Sequence, residues 1–221
     1  WKILSFPPGG FGTTNQWTPS PPTSDTEQFL AYVTGIYTIQ VTATDALGRT
    51  LTCETHVTVV DTGLRVELTW SNNGDVDLHL HNGSQTPWFG YNDAYYSSPN
   101  PDWDVLNNRD DDPLLDNDNI VGFGPENMRI VMPVVGKIYP IGVHAYSNVS
   151  GSITTVRIYC GTSAIPKYTY ISHSLYGTNG VGACSQNEFW KVAAVVFDAS
   201  GSCTVTYINT YSTSAERCSA Y

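Results

Sequence analysis

The sequence predicts an all-β protein built from two β-sandwich units. Apolar residues alternate with polar ones along most of the chain, and patterns with the helical period are nearly absent. Thr, Tyr, Ser, Asn and Gly are abundant, whereas only 14% of the 221 residues are charged. This balance is typical of a strand-rich extracellular protein rather than of a helical cytosolic enzyme.

The first unit begins with a segment rich in Pro, Gly and Thr, which indicates loops and short edge strands. The segment 35–61 then predicts a β-hairpin. Tyr37, Ile39 and Val41 share one face of its first strand, and residues 45–48 supply the turn.

The hairpin sequence GIYTIQVTATDALGRTLTCETHVTVV resembles the last two strands of a PKD-type immunoglobulin-like domain, and WKIL resembles the buried-Trp strand of that fold. The resemblance implies an Ig/PKD-like sandwich over residues 1–62 that lacks its first strands. Either the chain is a fragment, or another segment or subunit donates those strands. In the second case the open edge would support self-association into a filament, and Cys53 would be free or paired with the missing segment.

Residues 64–221 are expected to form a larger, jelly-roll-like β-sandwich, because eight runs with strand patterns are separated by turn signals. The segment 82–126 contains no such run, and a loop of that length in a compact domain usually has a function or is tied down. The eight predicted strands are residues 64–70, 75–81, 127–133, 137–146, 153–160, 166–173, 189–198 and 203–210.

Negative charge is concentrated in this second unit. The net charge is −10, and ten of the 14 aspartates lie between Asp75 and Asp118, where Arg109 is the only Lys or Arg. This excess of acid argues against nucleic acid as a partner. No run is apolar enough to predict a transmembrane segment. Residues 110–112, three consecutive aspartates, are expected to be an exposed run.

The acidic side chains predict a Ca²⁺ site. Asp75 and Asp77 share one face of the strand 75–81 and would form one wall. Asp116 and Asp118 would form the other wall, with Glu126 as a further ligand. Carboxylates that repel one another become favourable when a divalent cation lies between them, and Ca²⁺ prefers oxygen ligands. The alternative is a solvated acidic face that holds no ion.

A second resemblance rests on ordered motifs between residues 64 and 198: LTWSNNGDVDLHL, NPDW, LDNDN, GPEN and GVHAYS. They resemble a module of secreted bacterial proteins that often follows a PKD-like domain, which implies an extracellular location and no particular activity. Members commonly carry LD-x-DD-x-DG, so Asn119 and Val121 replace two acids here. The D-x-D-L pattern with a later acidic loop is also similar to the Ca²⁺-binding tellurite-resistance β-sandwich family.

Three histidines form an alternative metal site. His79 and His81 follow the two aspartates on the same face of strand 75–81, and His144 in GVHAY would be the third ligand of a Zn²⁺ ion. The competing interpretation is that these histidines are hydrogen-bonding partners on a strand face.

Aromatic residues in the segment 88–96 suggest a carbohydrate-binding platform beside the carboxylates. The candidates are Trp88, Tyr91, Tyr95 and Tyr96. The competing interpretation is ordinary packing, which is the expectation for Trp70 and Trp190 because both lie in strand patterns.

The cysteines carry no C-x-x-C pair and indicate structural disulfides in an oxidising compartment. Four of them allow three pairings, and we expect Cys160–Cys184 and Cys203–Cys218. No G-x-S-x-G, H-E-x-x-H or Ser-His-Asp grouping is present, so the chain is predicted not to be an enzyme.

Together these features predict a secreted or cell-surface structural or adhesive protein with a calcium-stabilised loop. The other hypothesis is a carbohydrate-binding accessory module of a secreted enzyme.

Overall fold

The structure, a computed structural model, describes residues 1–7, 31, 34–83, 86–177, 180 and 187–212. These ranges form thirteen strands in three sheets, and they contain no helix that is long and apolar enough to cross a membrane. The all-β prediction is confirmed. The strands are β1 (Lys2–Ser5), β2 (Gly35–Thr44), β3 (Thr50–Val59), β4 (Leu64–Trp70), β5 (Asp75–His81), β6 (Asp93–Ala94), β7 (Leu114–Asn117), β8 (Glu126–Ile130), β9 (Ile138–Ser147), β10 (Val149–Cys160), β11 (Tyr168–Gly177), β12 (Phe189–Phe197) and β13 (Cys203–Ser212).

The first sheet has the strand order β1-β2-β3 and contains the predicted hairpin. The Asp45 carboxylate closes the turn by accepting hydrogen bonds from the backbone N–H groups of Leu47 and Arg49, each at 2.9 Å. Tyr37 and Ile39 are buried on one face of β2, as the alternation predicts.

The other two sheets pack against each other as a five-on-five β-sandwich. Sheet I has the order β11-β10-β4-β8-β7, and sheet II has the order β13-β12-β9-β5-β6. Alternate residues fill the core, including Val66 and Leu68 of β4 and Leu78 of β5, all 0% exposed. Each such side chain contributes about 1.5–3 kcal/mol relative to exposure. Trp70 and Trp190 belong to the same core, as predicted.

The predicted strands of this sandwich are all present, and β4 and β5 have the predicted bounds. The prediction that 82–126 contains no strand is wrong, because β6 and β7 lie inside it. β7 is hidden from sequence patterns because its apolar residues are only Leu114 and Leu115, set between aspartates. Leu115 is 7% exposed and joins the main core.

A disulfide joins Cys160 at the end of β10 to Cys203 at the start of β13, with the Cα atoms 6.0 Å apart. It therefore connects sheet I to sheet II. The predicted pairs Cys160–Cys184 and Cys203–Cys218 are wrong for these two residues, because pairing follows the proximity of strand ends in space rather than along the chain. Cys184 and Cys218 themselves lie outside the described residues. Closing a loop of 43 residues stabilises the fold by about 4 kcal/mol in the chain-entropy model.

The acidic loop between β6 and β7 is folded by its own aspartates. The Asp112 carboxylate accepts a hydrogen bond from the Trp103 backbone N–H at 2.5 Å, and Asp111 accepts one from the Val105 N–H at 3.1 Å. Asp111 and Asp112 are 4% and 2% exposed. The prediction of an exposed run at 110–112 is therefore wrong for two of the three, because capping backbone N–H groups draws their carboxylates inward.

The same loop is held to the sandwich by the side chain of Lys137. The Lys137 ammonium group lies 2.6 Å from an oxygen of Asp104 and 5.4 Å from the centre of the Trp103 ring. Trp103 is 3% exposed and belongs to the main core. One lysine thus connects the charged and the apolar sides of the loop.

Candidate metal centre

The candidate metal centre lies on the face of β5 that points away from the main core. Asp75, Asp77, His79 and His81 alternate with the core residues of this strand, as the two-residue period requires. They are nevertheless buried, with exposures of 8%, 2%, 0% and 0%. Alternation predicts which face a side chain takes, but it does not show that another segment covers that face.

Three carboxylates meet at the edge of β5. One oxygen from each of Asp75, Asp77 and Glu126 lies within 4.8 Å of the others. Glu126 belongs to sheet I, and its Oε2 accepts a hydrogen bond from the Leu78 N–H of β5 at 2.6 Å. β6 pairs with Leu80 and His81 but not with Leu78. The Glu126 carboxylate therefore accepts the hydrogen bond from Leu78 that a neighbouring strand would otherwise accept.

Asp118, an exposed residue of the loop before β8, joins this group: its charge helps to raise the pKa of Asp75, and its side chain hydrogen-bonds with Glu126. The Asn119 N–H donates to Glu126 Oε1 at 3.3 Å, and the Phe123 N–H donates to the Asn72 carbonyl at 3.1 Å. Gly122, with φ +94°, packs so tightly that an added Cβ would lie 2.5 Å from Asn73 Cα. The loop is therefore held against the turn that precedes Asp75.

The four acids form an electrostatically strained group. Burial raises the pKa of Asp75 to about 7, and the neighbouring charges of Asp77 and Asp118 add to that rise. Burial also raises the pKa of Glu126 well above its ordinary value, followed by the charge of Asp77. Oδ1 of Asp75 and Oδ2 of Asp77 are buried and accept no hydrogen bond from the described part of the chain. Protons or a cation must compensate this charge.

Asp116 does not lie with this group. Its carboxylate is 3.7 Å from Arg65 and 3.5 Å from Arg129, on the outer face of sheet I, where Asp61 also contacts both guanidinium groups. A regular strand would put Asp116 and Asp118 on the same face, but the pairing of β7 is irregular between Leu115 and Asn117, and the strand ends there.

Known proteins offer no guide to this site. No family model, curated protein or solved structure matches the chain. The chemistry of the donor set is therefore the basis for interpretation. Among the described residues no Lys or Arg forms an ion pair with these four carboxylates, and two of them have buried oxygens without a hydrogen bond. Such a group suits a hard divalent cation.

The three histidines are not brought together as a set. His79 and His144 each offer a ring nitrogen within 4.8 Å of Asp77 and of one another. His81 does not belong to that group: its Nδ1 accepts a hydrogen bond from the Gly83 N–H at 3.2 Å. Burial lowers the pKa of His81, which keeps its ring neutral at physiological pH.

The aromatic residues do not form an exposed platform. Trp88 is 3% exposed and packs on Phe189, with ring centres 5.0 Å apart. Tyr95 is half-buried and stacks on His79, and Tyr96 is half-buried against Tyr95. Tyr91 alone of the four candidates is exposed, at 74%. The segment 88–96 therefore covers the outer face of sheet II.

One functional residue was missed by sequence reasoning. Asp93 is 0% exposed, and its Oδ2 lies 2.8 Å from Nδ1 of His79. The same oxygen accepts a hydrogen bond from the Phe89 N–H at 2.7 Å. No spacing rule links Asp93 to His79, because β6 forms only where the long loop returns to β5.

Proposed function

We propose that this chain is a non-enzymatic extracellular or cell-surface structural module in which Ca²⁺ holds the loop between β7 and β8 to the β-sandwich. The observation that carries the proposal is the burial of Asp75 and Asp77, each with a carboxylate oxygen within 4.8 Å of one of Glu126 and each with a buried oxygen that accepts no hydrogen bond from the described residues. The ligands would be Asp75, Asp77, Glu126 and Asp118. Ca²⁺ takes six to eight oxygens in flexible geometry, so bidentate carboxylates and water would complete its shell.

The location of these acids supports a stiffening role. Asp75 and Asp77 come from sheet II, Glu126 comes from sheet I, and Asp118 comes from the loop that connects β7 to β8. A cation among them would tie the two sheets and the loop at one point. The disulfide Cys160–Cys203 ties the sheets at another point and supports an oxidising compartment.

Calcium titration by calorimetry tests the ligand set. Asp118→Asn is expected to weaken Ca²⁺ binding roughly tenfold or more, because it removes a charged ligand. Asp116→Asn is the matched control: it makes the same chemical change two residues away, where the carboxylate contacts Arg65 and Arg129. Equal effects of the two substitutions, or no Ca²⁺ binding by the folded wild type, would reject the proposed site.

Self-association through the first sheet is a further part of the proposed structural role. β3 is an edge strand among the described residues, and most of its side chains are exposed, including the free thiol of Cys53. An unpaired strand edge is a template for a strand from another chain.

A non-reducing gel tests this part. Assembly that brings β3 strands together is expected to give a disulfide-linked dimer, because each chain contributes the one thiol of Cys53, and Cys53→Ser should abolish this band. A monomer at all protein concentrations, with Cys53 fully reactive toward a thiol reagent, would contradict self-association through this edge.

A further inference from the structure

His79 is held in an enclosed aromatic chamber beside the carboxylate group. Its ring stacks on Tyr95 at 5.1 Å between centres and meets Phe89 at 4.7 Å and Phe189 at 5.2 Å. The side chain is 0% exposed, and Nε2 makes no hydrogen bond with the described part of the chain. A polar ring atom is thus left without a hydrogen bond among closely packed aromatic rings, which is unfavourable unless a ligand occupies it.

Asp93 determines which nitrogen is available. The Asp93 carboxylate, 2.8 Å from Nδ1 of His79, accepts a hydrogen bond from Nδ1–H, so Nε2 of the neutral ring carries the free lone pair. A histidine that donates one N–H to a carboxylate and presents its other nitrogen is the usual arrangement of a metal-binding imidazole. The second oxygen of Asp93 is buried without a hydrogen bond from the described residues, which leaves its negative charge to polarise the ring.

Two further candidate ligands lie beside the His79 ring. His144 of β9 is the register partner of Asp77, and the Asp77 Oδ2 lies 3.6 Å from Nδ1 of His144. Ligand atoms of Asp77, His79 and His144 lie within 4.8 Å of one another. Ligand atoms around one tetrahedral Zn²⁺ are about 3.4 Å apart, so small side-chain movements would bring these three atoms to the distances that a bound ion requires.

Gly142 is the register partner of His79 on β9. Because it has no side chain, aromatic rings can pack directly against the backbone at this position. A Cβ at this position would lie 2.4 Å from the Phe189 ring and 3.2 Å from the Trp88 ring. Both aromatic rings therefore approach the sheet directly over the histidines. All ligands lie on paired strands of sheet II rather than on loops, so their geometry is preorganised.

We propose that Asp77, His79 and His144 bind a transition-metal ion of the Zn²⁺ class, with Asp93 as a positioning residue. Two imidazoles and one carboxylate favour such an ion over Ca²⁺ or Mg²⁺, which prefer oxygen. Only Asp77 is shared with the carboxylate group, and neither histidine is a proposed calcium ligand. The two proposals can therefore fail independently.

Co²⁺ is the probe for this site, because its visible spectrum reports on ligand type and coordination number. Wild-type protein, freed of metals and returned to buffer with excess Ca²⁺, is expected to bind one Co²⁺ with a four-coordinate spectrum that Zn²⁺ abolishes. His79→Gln and His144→Gln should remove the spectrum, and both should retain Ca²⁺ binding. His56→Gln, at an exposed position on β3, should change nothing.

Asp93→Asn separates positioning from ligation. It should weaken Co²⁺ binding about 10- to 100-fold while keeping the same spectrum at saturation, because the ligands are unchanged. Imidazole ¹⁵N NMR of the wild type covers the case in which a histidine variant does not fold: Zn²⁺ should shift Nε2 of His79. Folded wild type without a Co²⁺ spectrum, a spectrum that survives His79→Gln, or ¹⁵N signals unmoved by Zn²⁺ would overturn the proposal.

Discussion

Asp77 is the residue at which the two candidate metal groups meet. It lies with Asp75 and Glu126 on one side and with His79 and His144 on the other. At 2% exposure its carboxylate has little access to water, so its charge must be compensated by neighbouring groups or by cations. The kind of cation that each group would prefer then depends on its other members, which supply carboxylate oxygens on one side and imidazole nitrogens on the other.

At the scale of single residues, the sequence was informative where a regular strand continues and uninformative where it stops. The period of β5 correctly places Asp75, Asp77 and His79 on one face. Asp116 was misassigned because the pairing of β7 is irregular just beyond it. Asp93 was missed because its partner depends on how a long loop returns, which no local pattern encodes.

Trp88 tests whether the aromatic segment packs or binds a ligand. Trp88→Ala is expected to lower the free energy of unfolding by about 3–5 kcal/mol, because it empties space against Phe189. Tyr91→Ala is the control and should change it by less than about 0.5 kcal/mol, since this side chain is 74% exposed. Denaturant unfolding measures both values. A Trp88→Ala chain as stable as wild type would contradict the packing role.

At the scale of elements, β4 and β5 each have a polar face that points away from the main core, and the two faces have different surroundings. The polar face of β5 is covered by the segment 88–96, whereas the polar face of β4 carries an ion-pair network. In that network Glu67, 0% exposed, lies 3.4 Å from Arg157 and accepts a hydrogen bond from the Tyr159 hydroxyl, also at 3.4 Å. Sequence alternation alone cannot distinguish these two environments, because it reports side-chain direction and not what lies above the face.

Glu67 gives β4 a specific pH dependence. Burial raises the pKa of Glu67 from 4.5 to about 7, although the charges of Arg157 and Arg65 act in the opposite direction. A carboxyl group with a raised folded-state pKa contributes its full stabilisation below its unfolded-state pKa. That contribution is lost as the pH rises through about 7.

The comparison of wild type with Glu67→Gln isolates this effect, because Gln stays neutral at every pH. Relative to Glu67→Gln, wild type should lose about 3 kcal/mol of unfolding free energy between pH 4.5 and pH 8. Denaturant unfolding in EGTA across this range provides the measurement, and the other carboxylates titrate in both proteins. Stability curves that run parallel would mean that Glu67 titrates normally in the folded chain.

At the scale of the whole molecule, the alternation of apolar residues was sufficient to predict the sandwich. Eight strands of the two large sheets were expected within a few residues of their observed ends. The disulfide partner of Cys160 was not predictable, because Cys160 ends a strand of sheet I and Cys203 begins a strand of sheet II, and the packing of the two sheets brings them together. Long-range contacts of this kind depend on topology, which strand patterns leave open.

The negative charge of residues 75–126 links these scales. It is accommodated in three ways: by aspartates that cap backbone N–H groups, by ion pairs with Lys137 and the arginines of sheet I, and in the carboxylate group at the edge of β5. In the first two, each carboxylate has a hydrogen-bond or ion-pair partner within the described chain, although Oδ1 of Asp111 is buried without one. The third brings several carboxylates together, and the buried oxygens of Asp75 and Asp77 lack hydrogen-bond partners among the described residues. It is there that an ion would change the stability of the whole sandwich.

Thermal unfolding in excess Ca²⁺ and then in EGTA, under non-reducing conditions, tests this claim most directly. At a Ca²⁺ concentration a hundredfold above Kd, binding should stabilise the fold by about 2.7 kcal/mol and raise Tm by about 5–10 °C. Asp77→Asn should lose most of that rise. Asp110→Asn, at an exposed position in the acidic loop between β6 and β7, should keep it. Superimposable curves for the wild type in Ca²⁺ and in EGTA would contradict the account.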